Sequence, residues 1–300
     1  MSNTDDPYIQ GNGVLKNKLG VTSEVELDKI EATKTYARLH LISKKGPKGP
    51  FSYDRLKATH RYIFQDIYEW AGQPRTISIS KGDSNFTPSY LVQHKMENLF
   101  TRLEKDHFLQ NLKPKEFAGK ITEFFADLNQ IHPFREGNGR TQRAFTEALA
   151  KQAGYDLAFD ISTKERMIDI SIKSHQGDLS GMNRLFKEMI DPERVTMMRK
   201  ALGFLSKTHI PWNDIYIATT EVGQTYKGRF VGQGGSDFMM RTEDNQIVIG
   251  NIKELDKVPK SGEIISLTAK QVTEFQKSYF LTDGKNNIKG EQPLEPKRRR

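Results

Sequence analysis

Twelve consecutive residues, His132 to Arg143, bring together the side chains in this sequence that are best suited to chemistry. His132 is the only base among them that titrates near neutral pH, so it is the natural acceptor of a proton from an attacking hydroxyl. Glu136 is the single carboxylate, and because a carboxylate repels phosphates unless a divalent cation lies between them, we interpret it as a Mg²⁺ ligand. Phe134 is expected to turn inward and anchor the loop. Pro133 disfavours helical geometry at His132, which predicts that the preceding helix ends there.

The second half of this segment predicts an anion site. Gly137 and Gly139, on either side of Asn138, permit left-handed or tight backbone geometry just before the next helix. Free N–H groups point outward at a helix N-terminus, where the helix dipole is equivalent to roughly half a positive charge. Arg140 and Arg143 lie three residues apart in the first turn, so both can project toward the same anion. Two cations at this end oppose the dipole by roughly 0.3–1 kcal/mol each, a conflict that a bound polyphosphate removes.

Each part of the segment also has a purely structural interpretation. A histidine at a helix end is commonly a cap or a core residue, and Gly-Asn-Gly is usually a turn. Glu136 and Arg140 can form a surface ion pair worth a few tenths of a kcal/mol. The convergence of all these features within one short loop favours function. The other histidines, including His60 and His175, show no metal-ligand spacing and are interpreted as packing or surface residues.

The residues around this loop predict the helices that must position it. Apolar residues recur at spacings of three and four up to about residue 200, with few Gly or Pro inside the runs. The predicted helices are 53–70, 90–107, 114–131, 139–153, 162–174, 178–190 and 192–205. One segment differs: residues 75–80 alternate apolar with polar side chains, and turn residues follow at 81–84, which predicts a short β-hairpin.

The periodicity changes after about residue 208, where short β-rich runs are separated by Gly, Asn and Asp. The five predicted strands are 214–220, 225–231, 238–241, 247–249 and 264–267. Five such strands suggest a small barrel of the OB type. We therefore predict a mainly α protein: a helical catalytic domain over 1–200, an OB-like β domain over 208–280, and a flexible tail over 281–300 that is rich in Gly, Asn, Lys and Pro.

Composition narrows the class of protein. The chain has no cysteine, which excludes disulfides, thiolate metal sites and cysteine nucleophiles. No uninterrupted apolar stretch approaches the roughly 20 residues of a membrane span, and the N-terminus lacks the pattern of a secretory signal. The formal net charge of +8 attracts phosphates and acidic surfaces alike, so charge does not separate a nucleotide enzyme from a nucleic-acid-binding protein.

The segment 132–143 resembles the signature of the Fic family: His, any residue, Phe, any residue, Asp or Glu, Gly-Asn-Gly-Arg, any two residues, Arg. Every specified position matches. A second stretch, His60 to Arg75, resembles the family's upstream helix and the entry to its target-binding hairpin, the flap. Together they cover about residues 30–190. The resemblance implies a Fic-type helical bundle and a protein adenylyltransferase, which moves AMP from ATP, with Mg²⁺, to a Ser, Thr or Tyr hydroxyl of another protein.

The resemblance also implies roles for the loop residues. His132 would deprotonate the target hydroxyl, and Glu136 would hold Mg²⁺ between the α- and β-phosphates. The amides of Gly137-Asn138-Gly139, together with the Asn side chain, would stabilise the transferring group. Arg140 would hold the β-phosphate side and Arg143 the γ-phosphate.

The flap, about residues 77–86, would add a target segment as an extra strand. Its target-binding residues are predicted to be Ile79, Lys81, Gly82, Asp83, Ser84 and Phe86. Many Fic proteins also carry an inhibitory helix with Ser or Thr, any three residues, Glu, then Gly or Asn. Only Glu26, after Thr22, approaches this pattern, and Leu27 breaks it. We therefore expect no self-inhibition, and any inhibitor would be a separate small antitoxin-like protein.

The order of helical core, small β domain and basic tail resembles the Bartonella effector proteins of this family. That resemblance implies synthesis in the bacterial cytoplasm, type IV secretion into the host cytosol, and a host target such as a Rho-family small GTPase. The C-terminal secretion domain of those proteins is not in this sequence, so a truncated chain is expected.

Two alternatives stay open. One is transfer of a different phosphate-linked group on the same scaffold. The other is nucleic-acid binding through the OB-like domain, for which stacking aromatics interleaved with cations would be the mark. Tyr226, Lys227, Arg229 and Phe230 give a weak version of that pattern. We expect neither a nucleic-acid partner nor a membrane span.

Overall fold

A computed structural model of the chain describes residues 6–82 and 84–272. Eight α-helices occur in this part of the chain. They are α1 Glu24–Lys45, α2 Tyr53–Phe64, α3 Ser89–Lys105, α4 Pro114–Ile131, α5 Asn138–Gln152, α6 Lys164–His175, α7 Ser180–Met189 and α8 Pro192–Leu205. The predicted tail over 281–300 lies outside the described residues.

Helix α4 lies at the centre of the helical region, where it packs against α3, α5, α6 and α7. Its buried residues recur at the helical spacing and include Phe117, Ile121, Phe124 and Leu128. This stripe is the reason that the sequence predicted α4 with the correct bounds. The central position of α4 places the loop that follows it inside the protein, between α4 and α5.

Helix α1 was not among the predicted helices, and the residue types on its buried face explain why. Its fully buried residues are Leu27, Glu31 and Thr35. They follow the helical spacing of four, but two of the three are polar, so a search for apolar periodicity passes over them. A start signal is nevertheless present, because the hydroxyl of Ser23 accepts a hydrogen bond from the N–H of Glu26.

Helix α2 is shorter than predicted, since it ends at Phe64. Ile67, Tyr68 and Trp70 stay buried beyond that end, so the apolar pattern continues although the helix does not. The chain turns here and reaches Gly72 with φ of +87°, a conformation that favours glycine.

All five strands predicted after residue 208 are present. They are β3 Ile217–Thr219, β4 Thr225–Gly234, β5 Asp237–Thr242, β6 Ile247–Asn251 and β7 Ile264–Thr268, preceded in the chain by the two flap strands β1 Ser80–Lys81 and β2 Ser84–Asn85. The five later strands form one sheet in the order β3-β6-β5-β4-β7, in which only β3 and β6 are parallel.

The predicted OB-like barrel is not formed in the described residues, because this sheet is open. Strands β3 and β7 lie at opposite edges. Strand β3 packs against α8 instead of closing the sheet. Ile217, Met239 and Ile247 belong to the same apolar cluster as the helices, so the helical region and one face of the sheet share a core.

A buried ion pair joins the sheet to the helices. Arg166 on α6 and Glu188 on α7 are both almost completely buried, with 2.5 Å between Nη1 and Oε2. The other carboxylate oxygen of Glu188 accepts from the hydroxyl of Thr219 at 2.8 Å. Because a buried charge without partners is strongly unfavourable, these contacts fix how β3 meets the helices. None of the helices in the described residues has the length and apolarity that crossing a membrane requires.

Candidate active site

The candidate base, His132, follows the last residue of α4 in a left-handed conformation with φ of +49°. Its Nδ1 lies 3.1 Å from the carbonyl oxygen of Asn129. A carbonyl only accepts, so Nδ1 carries the hydrogen and Nε2 carries the lone pair. Burial lowers the pKa of His132 to about 4, against the opposing effect of the Asn129 carbonyl and helped by the charge of Arg75. The imidazole is therefore neutral at pH 7 and can accept a proton at Nε2.

The loop between His132 and α5 is closed by one side chain. The amide of Asn138 accepts from the N–H of Phe134 at 2.9 Å and donates to the carbonyl of the same residue at 2.7 Å. Asn138 is 3% exposed. Its side chain thus holds the loop together, and a contact of Asn138 with the transferring group stays a prediction. Its backbone N–H, in the first turn of α5, has no acceptor within the helix.

His60, interpreted from the sequence as a packing or surface residue, contacts the loop between α4 and α5 at Phe134 and Glu136. It is completely buried and stacks on Phe134 with ring centroids 3.9 Å apart. Its Nδ1 accepts from the N–H of Gly72 at 2.8 Å, so its Nε2 donates to the carbonyl of Glu136 at 2.9 Å. Burial lowers the pKa of His60 to about 4. Phe134, 1% exposed, lies inside the protein as the sequence predicted.

Arg75 is a second supporting residue that sequence reasoning did not single out. It is 2% exposed, and its guanidinium donates to four backbone carbonyls. These carbonyls belong to Ile77, Thr87, Ile131 and His132. Its N–H also donates to the carbonyl of Pro133 at 2.8 Å. Arg75 therefore ties the base of the flap to the end of α4. The signal was its place in the second stretch that resembles the family.

Gly137 is required by the backbone and by its neighbour. It has φ of +82°, and a Cβ at this position would lie 2.2 Å from the ring of Phe64. Its N–H donates to Oε1 of Glu136 at 2.8 Å. Gly139, by contrast, lies in the first turn of α5 without a left-handed conformation. The predicted tight geometry before α5 is therefore produced by Gly137.

Glu136 presents a carboxylate that is 44% exposed. Its Oε1 contacts the N–H of Gly137 and lies 3.4 Å from Nη2 of Arg140, while no partner within residues 6–82 and 84–272 contacts Oε2. In that part of the chain no group of three or more His, Asp or Glu side chains could hold a metal ion. A single open carboxylate is still a suitable donor for Mg²⁺, which is commonly held by one or two carboxylates together with substrate phosphates.

The two arginines of the segment do not point the same way. Arg140 turns toward α1, where its Nη2 lies 2.5 Å from Oε1 of Glu31. Arg143 folds back along α5, and its Nη1 lies 3.4 Å from the position a Cβ on Gly139 would occupy. The guanidinium of Arg143 makes no hydrogen bond or ion pair to the described residues. Burial, followed by the charge of Arg140, lowers the pKa of Arg143. In this structure Arg140 is thus paired with Glu31, and the binding of a phosphate by either arginine stays a prediction.

The predicted flap is present as an antiparallel hairpin in which Ser80 pairs with Asn85. Ile79 is half-buried, whereas Lys81 and Gly82 are exposed. Asp83 and the side chain of Ser84 lie outside the described residues. The ring of Phe86 stacks on His132 with centroids 3.8 Å apart, and it meets His175 edge to face at 5.4 Å. Phe86 and His175 therefore border the candidate base.

The two aromatic residues proposed for nucleic-acid stacking do not present open faces on the surface. Phe230 is 2% exposed and Tyr226 packs against the same apolar cluster. Lys227 is exposed but pairs with Glu243 at 3.0 Å. Base stacking needs open aromatic faces, so this part of the sheet does not support the nucleic-acid alternative.

Comparison with known proteins identifies the family. Residues 50–150 match the Fic/DOC family. A protein adenylyltransferase of Bartonella henselae is 33% identical over 285 residues, which cover 88% of this chain and 52% of that protein. The type IV secretion system effector protein BepA has a structure that matches with a TM-score of 0.80 and 31% identity over 88% of this chain and 96% of that one. The chain belongs to the Fic/DOC family.

A further solved structure bears on the nucleotide. It is BepC, a VirB-translocated effector of Bartonella tribocorum with bound AMPPNP, which matches with a TM-score of 0.56 and 27% identity over 60% of this chain and 94% of that one. The chain spans about half the length of the Bartonella henselae adenylyltransferase.

Proposed function

We propose that this chain is a protein adenylyltransferase that transfers AMP from ATP to a hydroxyl side chain of another protein. The observation that carries the proposal is the neutral His132, whose Nε2 has no hydrogen-bond partner among the described residues and which begins the loop that leads into α5. The names of the relatives support the nature of the group transferred, and the ATP analogue bound to BepC supports ATP as the donor.

The residues account for each step of the transfer. Nε2 of His132 accepts the proton as the hydroxyl oxygen of the target forms a bond to the α-phosphorus of ATP. The bond from that phosphorus to the oxygen bridging to the β-phosphate breaks, and pyrophosphate leaves. The first-turn amides of α5 are directed at negative charge on the transferring group. Arg143 holds the γ-phosphate end of the nucleotide.

Glu136 would hold Mg²⁺ through its open carboxylate oxygen. A bound Mg²⁺ would neutralise charge on the phosphates that leave. In this role Glu136 needs to stay clear of Arg140, and the 3.4 Å separation of Oε1 from Nη2 is longer than the 2.5 Å between Arg140 and Glu31.

The target would be selected at the flap. The exposed Lys81 and Gly82 lie at its tip, and the hairpin can accept a further strand at its edge. We propose a host protein as the target, modified on a Ser, Thr or Tyr hydroxyl, with a Rho-family small GTPase as the first candidate. The similarity to type IV effectors supports delivery into a host cell. The helical region up to about residue 200 would carry out the catalysis, and a separate inhibitor protein would act on it.

One experiment tests the transfer and its chemistry together. The purified chain is incubated with host-cell lysate and ATP labelled in turn at the α- and γ-phosphorus, and labelled proteins are identified by mass spectrometry. AMP transfer places only the α label on the target, with one AMP of added mass. Transfer of the γ label would support phosphorylation and contradict the proposal.

A pair of histidine variants tests the base. His132→Ala should lower transfer by roughly 10²–10⁴-fold, because general base catalysis contributes that much, while ATP binding is retained. His209→Ala, at an exposed position after α8 and outside the loop, is the matched control and should transfer normally. Full labelling by the His132 variant would remove this residue from the role.

A further inference from the structure

Glu31 on α1 contacts the site although it lies outside residues 50–150, where the family matches. Its side chain is 9% exposed. Oε1 lies 2.5 Å from Nη2 of Arg140, and Oε2 accepts a hydrogen bond from the hydroxyl of Tyr68. Both oxygens of the Glu31 carboxylate therefore have hydrogen-bond partners inside the protein, and one of these partners is Arg140 in segment 132–143.

Arg140 is held on several sides in this position. Its Nη1 donates to the hydroxyl oxygen of Thr35 at 3.2 Å, and that hydroxyl in turn donates to the carbonyl of Glu31 at 2.7 Å. The guanidinium carbon lies 4.8 Å from the centroid of the Phe64 ring. Removing one partner of a buried pair leaves an uncompensated charge, which is strongly unfavourable. These contacts hold Arg140 against α1 in this structure.

The position of Arg140 affects whether the carboxylate of Glu136 stays open or forms a close ion pair. Arg140 and Glu136 are one helical turn apart, and at 3.4 Å their contact is at the limit of a hydrogen bond. If Glu31 released the guanidinium, the Glu136 carboxylate would be the nearest remaining anion. A close pair with Arg140 would then occupy the carboxylate that is needed for the metal-bound nucleotide.

We propose that Glu31 is a positioning residue: it holds Arg140 on α1 and so keeps the carboxylate of Glu136 open for the Mg²⁺–ATP substrate. This inference rests on the proposed function, since it assumes that the loop binds that substrate. Helix α1 is then part of the active site.

Electrostatic repulsion alone predicts the opposite effect of losing Glu31 on nucleotide affinity, so a measured affinity distinguishes it from positioning. A carboxylate near a phosphate site repels the phosphates, so its removal alone would strengthen nucleotide binding. Positioning requires that the loss of Glu31 weaken binding, because Arg140 then turns to Glu136.

The test measures binding of AMPPNP by calorimetry at several Mg²⁺ concentrations. We expect Glu31→Gln to weaken binding about tenfold or more, as changes to residues that orient a metal ligand commonly do, and to raise the Mg²⁺ concentration required. Glu24→Gln, the same change at an exposed position in the first turn of α1, is the matched control and should bind as the unmodified chain does. Thermal unfolding shows whether each variant is folded. If Glu31→Gln is unfolded, Glu31→Asp replaces it. Because Glu31→Asp keeps the charge, its loss of AMPPNP affinity should be smaller.

A double-mutant cycle separates positioning from a merely structural role. With Arg140→Ala already present, Glu31→Gln should cause no further loss of AMPPNP affinity, because no guanidinium is left to capture Glu136. An undiminished loss in that background would overturn the inference, as would equal or tighter binding by Glu31→Gln alone. If the unmodified chain bound no AMPPNP, the proposed function would fail and this inference with it. If it bound AMPPNP and transferred AMP while Glu31→Gln bound equally well, only the inference would fail.

Discussion

Acid should weaken this fold through His60, a buried residue that contacts Phe134 and Glu136 in the loop between α4 and α5. The folded-state pKa of His60 is lowered by burial to about 4, from the usual 6.5 of a histidine. Between these two pH values the unfolded chain binds more protons than the folded one. The free energy of unfolding is therefore fully present above about pH 6.5 and falls as the pH drops toward 4.

The size of this effect follows from the same two values. Moving from pH 7 to pH 5 should cost about 2 kcal/mol through His60 alone, by protonation linkage. His132 has a similarly lowered pKa, about 4, so the two histidines together should cost about 4 kcal/mol. That is a large share of the roughly 5–15 kcal/mol that stabilises a typical domain.

Urea unfolding at pH 7 and pH 5, followed by circular dichroism, tests the assignment. His60→Gln should be less stable than the unmodified chain at pH 7, because it loses the stack on Phe134 and the bond from Gly72. Its further loss on moving to pH 5 should be smaller by about 2 kcal/mol, since the titrating group is gone. His94→Gln, on the exposed face of α3, is the matched control. An equal loss in the unmodified chain and in His60→Gln would refute the reasoning.

Three further predictions concern the loop and the flap. Gly137→Ala should lower stability by roughly 1–3 kcal/mol through its positive φ alone, with more from the contact of the new Cβ with Phe64; calorimetry that showed an unchanged melting temperature would contradict this. Arg75→Lys keeps the charge but cannot reach four carbonyls, so it should lower stability by roughly 2–4 kcal/mol and slow AMP transfer, both measured on one preparation. Lys81→Glu should change labelling of the target, less so at high salt, without changing AMPPNP affinity.

The elements that carry an apolar stripe could be predicted from the sequence. Helix α4 follows the spacing of Phe117, Ile121 and Phe124, and the end of α4 follows from Pro133. The five later strands were found for the same reason, because alternation and turn residues are local signals. The closure of a barrel is not local, since it depends on whether β3 pairs with β7 or packs on α8. The sequence contains no signal for that choice, and the described strands form an open sheet where a barrel was predicted.

The residues of the candidate site also fall into those that the sequence could predict and those that it could not. His132, Phe134 and Glu136 are neighbours in the chain, so their convergence was visible in one short segment. The residues that hold them are not neighbours: Arg75 acts on the backbone of His132 from another element. Its acceptors are carbonyls, which every residue has, so no pattern of side chains indicates the contact.

The orientation of Arg140 shows why spacing alone could not assign its role. Two arginines three residues apart share a helix face, and that fact predicted a common ligand. The direction of a long, flexible arginine side chain, however, depends on where a nearby buried anion lies. Here that anion is Glu31, which comes from a helix with a polar buried face and lies more than 100 positions earlier in the chain. The charge of Arg140 is thus offset within the protein, while the guanidinium of Arg143 has no such partner among the described residues. Of the two arginines that the sequence predicted for one anion, Arg143 is the one whose guanidinium makes no hydrogen bond or ion pair to the described residues, and the charge of Glu147 acts on its pKa in the direction opposite to burial.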